Sequence, residues 1–245
     1  MPESTPHKCV IAFDLDDTLY KERDYVRSGR RAVARFTAAA TGLGADALMD
    51  IMDACGPTGP GAFDRLLAHI ANTAPAAKHI GIDEILAVYR YHKPEISLTT
   101  EAEALLAKLK DAGHHLALIT DGRSTTQRLK FEALGLGRFF APEAVFISEE
   151  TGGDKTSPAG FEAVERLFSG IPHRTYIGDN PAKDFRHPRR MGWNTVMLAD
   201  SEAANVFRQD LDSVAPEFRP HTVVFKPEDA FSYLIQPSQP LKPYA

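Results

Sequence analysis

The sequence is short of cysteine and has no long apolar run. Its 245 residues include two cysteines, Cys9 and Cys55. Two thiols are too few for a disulfide framework, and their surroundings lack metal-ligand spacing, so both are expected to be reduced core residues. No run approaches the ~18 apolar residues of a membrane span, and the opening MPESTPHK lacks the apolar stretch of a secretion signal. We therefore expect no membrane partner and a cytoplasmic protein.

Basic residues are fewer than acidic residues. Lys and Arg number 28 against 33 Asp and Glu, which gives a formal net charge of -5. A protein that binds duplex nucleic acid normally carries a strong basic patch, so a small molecule is the more natural partner. The hydrophobic share of 43% and the charged share of 25% are ordinary for a globular protein with a sizeable core. The length fits one large domain or two unequal ones.

The stretch FDLDDTLY, at positions 13–20, carries the first chemical signal. It follows a short apolar run with the composition of a buried strand, and Asp14 and Asp16 stand two residues apart where that strand ends. In extended backbone this spacing aims both carboxylates towards one side. Two carboxylates so close repel each other unless a cation or a shared proton compensates. The pair suits a carboxylate nucleophile beside a carboxyl acid/base, both next to a metal ion.

A helical block follows this motif. The hydrophobic pattern is helical from position 20 to 96, with no strand-like run, and predicts four helices. The first is expected to place four apolar side chains on one face: Val26, Val33, Phe36 and Ala40. A helical block between one strand and the next αβ unit is typical of an inserted cap domain, which we place at residues 20–96.

The rest of the chain alternates helices and strands. A capping box of Thr100 with Glu103 is expected to begin the first of these helices, and strand patterns recur from His115 onwards. A helix is expected at residues 122–134, and one of the later strands at Asn194–Leu198. Such βαβ units predict a doubly wound parallel-sheet, Rossmann-like α/β core formed by residues 1–19 and 97–235, with the helical cap inserted. Residues 236–245 contain three prolines and are expected to form an extended tail.

Further candidate residues lie at the predicted strand ends, where parallel sheets bind ligands. Thr120 and the backbone N–H groups after it are positioned either to hold an anion or to cap a helix. Lys155 precedes another helix and is either a solvated charge or a phosphate contact. The segment GDNPAKDF places Asp179 at a strand end and Asp184 five residues on, where oxygen ligands for Mg²⁺ can converge.

These four pieces, in this order, resemble the motifs of the haloacid dehalogenase-like superfamily, and the helical insert resembles the first (C1) type of cap in its phosphatase branch. The resemblance implies a nucleophilic Asp14 and an acid/base Asp16. It also implies phosphate binding by Thr120, Asp121 and Lys155, and Mg²⁺ held by Asp14, the Asp16 carbonyl and Asp179. Asp184 is implied either as a direct metal ligand or as a residue that holds the ligands. One departure is that Thr156 stands where many members have proline after the lysine. Dehalogenating and phosphonate-cleaving relatives differ at the position of Asp16, which favours phosphoester hydrolysis.

The expected activity is therefore that of a Mg²⁺-dependent phosphatase acting on a small phosphorylated metabolite, such as a sugar phosphate or a nucleotide. A phosphomutase with the same aspartyl phosphate and a non-catalytic binding protein on the same fold are the alternatives.

Substrate selection is expected from the cap. Arginines recur every fourth residue, at Arg23, Arg27, Arg31 and Arg35. They form either a solvated helix face or, at the end with Lys21, Arg23 and Arg27, a site that attracts an acidic leaving group. His92 is either a substrate contact or part of a hinge hydrogen bond.

Overall fold

Six parallel strands form one sheet in the order β3-β2-β1-β4-β5-β6. The computed structural model describes residues 8–77, 79–202, 204–207 and 209–235. The strands are β1 (Val10–Phe13), β2 (His115–Thr120), β3 (Val145–Ile147), β4 (Arg174–Gly178), β5 (Asn194–Leu198) and β6 (Thr222–Val224). The central strand β1 is buried throughout, as expected of a parallel strand covered on both faces.

The chain changes direction across the sheet beside β1. It builds β2 and β3 on one side of β1 and then β4, β5 and β6 on the other. Phe13 pairs with Leu118 of β2 and with Ile177 of β4, so the three strands end at nearly the same level. This is the topological switch point at which open α/β sheets bind their ligands.

Helices cover both faces of the sheet. They are α5 (Thr100–Asp111), α6 (Ser124–Ala133), α7 (Ser148–Thr151), α8 (Ala159–Leu167), α9 (Arg186–Arg190) and α10 (Pro227–Leu234). Ile11 and Phe13 of β1 belong to the hydrophobic cluster that contains the inward residues of α5 and α10. Val10 and Ala12 point the other way, into the cluster that contains Phe161 of α8. The predicted α/β core is confirmed by this arrangement.

The start of α5 differs from the sequence prediction. Thr99, not Thr100, is the N-cap, and its side chain accepts a hydrogen bond from the Ala102 N–H at 3.1 Å. The predicted N-cap is one residue too late, because Thr99 keeps extended backbone while Thr100 is already helical. The predicted capping box of Thr100 with Glu103 is therefore wrong.

Four helices between β1 and α5 form a bundle with its own core. They are α1 (Glu22–Thr41), α2 (Ala45–Asp53), α3 (Ala62–Thr73) and α4 (Ile82–Tyr91), with a short 3₁₀ turn at Pro75–Ala77. Val33, Leu48, Leu66 and Ile85 lie in this core. All four helices fall within the predicted cap, whose division from the core at residues 20–96 stays a prediction.

The buried face of α1 is not the predicted one. Val33 is buried, but Phe36 is 37% exposed and Ala40 is also exposed. The helix instead turns Tyr25, Gly29 and Arg30 inwards. A glycine and an arginine carry no hydrophobic signal, so the apolar pattern alone indicated the wrong face.

The two chain segments that join this bundle to the sheet lie side by side. The Thr99 N–H donates to the Leu19 carbonyl at 3.2 Å.

Cys9 and Cys55 are not joined in a disulfide. Within the described ranges, no helix has the length and apolar character needed to cross a bilayer. The predicted tail, 236–245, lies outside those ranges.

Candidate active site

Three carboxylates converge at the switch point of the sheet. Asp14 follows β1, Asp179 follows β4, and Asp184 folds back from the loop after β4. Carboxylate oxygens of the three lie within 4.8 Å of one another, and all three residues are buried. The Asn180 N–H holds Asp184 by donating to Oδ2 at 2.8 Å. Gly178 makes room for this approach, because a Cβ there would lie 2.5 Å from that same oxygen.

The carboxylate cluster is short of positive charge. Burial is the main reason why the pKa of Asp14 rises to about 7, and the charge of Asp184 raises it further. Burial and the neighbouring acids raise the pKa of Asp179 to about 9. Groups in this condition bind a cation or a proton in preference to staying charged.

Lys155 supplies part of the missing charge. It is 2% exposed, and its ammonium lies 2.6 Å from Asp14 Oδ1 and 2.9 Å from Asp184 Oδ1. It also donates to the Tyr176 hydroxyl at 3.1 Å. Burial by itself would lower the pKa of this lysine, but the charges of Asp14 and Asp184 outweigh burial and raise it. Lys155 is therefore a fixed cation beside the predicted nucleophile.

Thr120 and Asp121 stand where β2 ends. The Thr120 hydroxyl is buried and has no hydrogen-bond partner among the described residues, a condition that usually signals a missing ligand or water. The Asp121 carboxylate accepts from the Lys155 N–H at 3.0 Å and from Lys183 Nζ at 2.6 Å. The Asp121 side chain therefore holds Lys155 and Lys183 in place.

Asp16 is held on the wall of the site by three donors. Lys130 Nζ lies 2.6 Å from Oδ1, to which the Tyr20 hydroxyl also donates, and Gln127 Nε2 donates to Oδ2 at 3.2 Å. Burial would raise the pKa of Asp16, but the Lys130 charge and these hydrogen bonds lower it overall. The next residue, Asp17, has a left-handed φ of 56° and lies in the turn between β1 and α1.

A cavity of about 190 Å³ opens onto these groups. Asp14, Asp16 and Asp179 line it, together with Glu22 from the first turn of α1 and Lys183. Its size and its mostly acidic wall suit a small polar ligand accompanied by a cation.

The sequence matches the family of haloacid dehalogenase-like hydrolases over residues 10–192. The chain belongs to this family. Membership of the haloacid dehalogenase-like superfamily, which the four motifs predicted, is therefore confirmed.

Curated relatives in this hydrolase family carry phosphatase names. The chain is 30% identical, over 221 residues, to a glyceraldehyde 3-phosphate phosphatase of Methanopyrus kandleri, covering 85% of this chain and 91% of that one. It is 38% identical over 102 residues to a phosphoserine phosphatase of Thermus thermophilus, which covers 41% of this chain and 40% of the relative.

Solved structures share the fold. The HAD-hydrolase YfnB of Bacillus subtilis, solved with magnesium bound, aligns with a TM-score of 0.59 at 20% identity, covering 93% of this chain and 99% of that one. A 2-haloacid dehalogenase of Pseudomonas syringae aligns with a TM-score of 0.58 at 20% identity, covering 93% and 98%. At this identity the likeness bears on architecture alone.

The residues of this hydrolase fit a divalent cation of the Mg²⁺ type. Carboxylate oxygens are the donors that Mg²⁺ prefers, and three of them converge from Asp14, Asp179 and Asp184. The raised pKa values of Asp14 and Asp179 point the same way, because a cation among them would relieve their repulsion.

The predicted cap residues do not join this cluster. Arg23 and Arg27 are exposed and line a separate cavity of about 450 Å³. Further along α1, Arg31 and Arg35 both pair with Glu95. The arginine stripe is thus divided between an open cavity and ion pairs.

His92 makes its hydrogen bonds within the helical bundle. Its Nδ1 donates to the Tyr89 carbonyl at 2.7 Å, and its Nε2 lies 3.1 Å from the Ser28 hydroxyl. Burial lowers the pKa of this imidazole, which favours the neutral form. Both ring nitrogens are thus occupied, and the substrate and hinge roles of His92 both stay predictions.

Sequence reasoning missed several residues that touch the site. Lys130 and Gln127 lie within a helix that was predicted, but nothing in the neighbouring sequence indicates that they contact Asp16. In the loop after β5, Asn205 Nδ2 donates to Asp179 Oδ2 at 3.1 Å. That loop has no regular hydrophobic period, so its contact with the carboxylates was not predictable.

Proposed function

We propose that this chain is a Mg²⁺-dependent phosphatase that hydrolyses a small phosphorylated metabolite through an aspartyl phosphate on Asp14. The observation that carries the proposal is the convergence of three buried carboxylates, two of which, Asp14 and Asp184, contact one fixed cation, Lys155. The phosphatase names of the relatives support the class, a phosphoric monoester hydrolase. Within it, a sugar phosphate or a nucleotide is the substrate proposed.

The residues proposed to hold the metal are Asp14, the Asp16 carbonyl, Asp179 and Asp184. Bound there, Mg²⁺ would supply positive charge that offsets the repulsion between a phosphate dianion and a carboxylate. Lys155 contributes to the same neutralisation through its contact with Asp14. The unpaired Thr120 hydroxyl and the backbone N–H groups after it are proposed to hold phosphate oxygens.

The chemistry proceeds in two displacements. A carboxylate oxygen of Asp14 attacks phosphorus and the bond between phosphorus and the ester oxygen breaks. Asp16, which the negative charge of the bound phosphate enables to take up a proton, gives that proton to the leaving oxygen. Asp16 then accepts a proton from the water that attacks the aspartyl phosphate, which releases inorganic phosphate and restores Asp14.

Substrate selection belongs to the helical bundle in this proposal. Glu22 lines the carboxylate cavity, whereas Arg23 and Arg27 line the neighbouring one. A contact between either arginine and the leaving group therefore requires the bundle to move towards the sheet. His92 is assigned a substrate contact only if that movement breaks its hydrogen bonds to Tyr89 and Ser28.

The test is release of inorganic phosphate from a panel of sugar phosphates, nucleotides and p-nitrophenyl phosphate. We expect turnover with Mg²⁺, none in excess EDTA, and little with Ca²⁺, because Ca²⁺ prefers longer bonds and more ligands. Full activity in EDTA, or no phosphate from any ester, would overturn the proposal. Conversion of a sugar phosphate to its isomer without phosphate release would identify a mutase instead.

A further inference from the structure

Lys130 is a buried cation that has no role in the reaction steps proposed above. It lies on α6, is 3% exposed, and places its ammonium 2.6 Å from Asp16 Oδ1. Lysine is rarely buried unless it is paired. A buried ion pair contributes little to stability compared with apolar residues of the same volume, so folding alone gives weak grounds for keeping one there.

The contacts of Asp16 are unequal at its two oxygens. Oδ1 receives both Lys130 and the Tyr20 hydroxyl, whereas Oδ2 receives only the longer bond, 3.2 Å, from Gln127 among the described residues. The strongly bonded oxygen is thereby fixed in place. Oδ2 is the oxygen left to exchange a proton with a ligand in the cavity that Asp16 lines.

Lys130 also touches the helical bundle. Its ammonium lies 4.3 Å from the centroid of the Tyr25 ring, which belongs to α1. A cation over an aromatic face is attracted by the ring. The Tyr25 ring in turn packs against Tyr89 and His92 at the end of α4, with centroids 5.7 and 5.1 Å away. One ammonium thus contacts both the catalytic carboxyl and the bundle.

We propose that Lys130 is the positioning residue for Asp16: it fixes Oδ1, directs Oδ2 to the leaving-group oxygen, and ties that position to the seating of the bundle through Tyr25. This inference rests on the proposed phosphatase function. The proton passes from Oδ2 to the ester oxygen as the phosphorus–oxygen bond breaks, and it is replaced from the attacking water. Lys130 itself neither gains nor loses a proton.

The test compares two esters for Lys130→Met. A primary alkyl phosphate has a poor leaving group that needs a proton, whereas p-nitrophenolate leaves without one. We expect kcat/KM on the alkyl ester to fall by about tenfold or more, because a positioned acid contributes on the order of 10²–10⁴. On p-nitrophenyl phosphate kcat/KM should fall less than about threefold. This constant reports the steps up to loss of the leaving group, so it excludes the later hydrolysis of the aspartyl phosphate, which Asp16 assists for both esters.

Arg128→Met is the matched control. Arg128 is the neighbouring cation on α6, exposed to solvent and paired with Glu150 at 2.7 Å. This variant should keep wild-type values on both esters. Lys130→Arg, which keeps the charge, should recover part of the alkyl-ester rate. Equal losses of kcat/KM on the two esters for Lys130→Met, or no loss on either, would overturn the inference.

Gln127→Leu covers the case in which Lys130→Met does not fold, as judged by circular dichroism. It removes a donor to Asp16 without leaving a buried charge unpaired, and a smaller loss confined to the alkyl ester is expected. No selective loss in Gln127→Leu would then overturn the inference.

The link to the bundle is tested with Tyr25. Tyr25→Phe keeps the ring and should behave as wild type, whereas Tyr25→Leu should reproduce the selective loss on the alkyl ester. Identical behaviour of the two variants would overturn that link. Wild-type enzyme without activity on either ester would instead refute the proposed function before any variant is compared.

Discussion

Asp14 is the side chain whose replacement should separate chemistry from folding. Asp14→Asn cannot act as an anionic nucleophile, so we expect kcat to fall by more than ~1,000-fold, as on removal of other covalent nucleophiles. The fold should survive, because burial disfavours the charge at this position and Lys155 keeps Asp184 as a partner at 2.9 Å. Phosphate release and the melting temperature measure the two effects. Near wild-type turnover would contradict the assignment of the nucleophile.

Asp14 and Asp179 should also make the metal-free protein sensitive to pH. Their pKa values in the folded protein, about 7 and about 9, lie above the ordinary value of 3.8, so the folded state holds more protons than the unfolded chain between these limits. Stability is therefore greatest at the acid end of this window and falls as pH rises through the folded-state pKa values.

Urea unfolding in EDTA, from about pH 5 to pH 9, measures this slope in the free energy of unfolding. Asp179→Asn removes one of the two groups and should flatten the slope. A slope of the opposite sign, or one unchanged in this variant, would show that the acids are not protonated in the folded state.

The motif residues were predictable because their chemistry is encoded locally. Asp14 and Asp179 each come directly after an apolar strand, and parallel strands bring their carboxyl ends to one edge. Lys130 was not predictable, since it meets Asp16 across 114 positions. In sequence it is indistinguishable from a solvated lysine on a helix.

Among the elements, helix α1 has a glycine at a buried position that a hydrophobic residue would normally occupy. Gly29 lies in the middle of this helix, where alanine normally stabilises by about 1 kcal/mol. A Cβ at this position would overlap the Tyr89 ring of α4. Gly29→Ala should therefore destabilise the protein by about 1–3 kcal/mol, the usual effect of overpacking.

Chemical denaturation measures the effect of Gly29→Ala. Gly170→Ala is the control, because nothing lies within 4 Å of a Cβ added there and its φ is not in the left-handed region. A gain in stability in Gly29→Ala would mean that α1 and α4 do not pack as described.

The strands were easier to predict from sequence than the helix faces. A parallel strand buried on both sides reads as a continuous apolar run, and β5 was predicted at its observed bounds, Asn194–Leu198. The inward face of α1 failed because Gly29 and Arg30 occupy core positions. Arg30 is accommodated there by donating to Asp53 at 3.1 Å and to the Gly56 carbonyl at 2.7 Å, contacts that only tertiary structure specifies.

At the scale of the whole molecule, Mg²⁺ should stabilise the fold as well as support turnover. A ligand that binds only the folded state at about 100 times its Kd adds ~2.7 kcal/mol, or about 5–10 °C in Tm for a chain of this size. Differential scanning fluorimetry with and without Mg²⁺ measures the shift. Asp179→Asn should lose most of it, whereas Arg128→Met should keep it. The same shift in the Asp179 variant would place the ion elsewhere.

The hydrogen bond between Thr99 and Leu19 has a consequence for how such enzymes diversify. Because the bundle leaves and re-enters the sheet at one point, the core experiences it as a closed loop. The entropy of closing a loop grows only with the logarithm of its length. A longer, shorter or differently folded insert could therefore occupy the same junction with little change in core stability. If the bundle selects the leaving group as proposed, replacing it would change that preference while the proposed phosphate-binding groups stay in place.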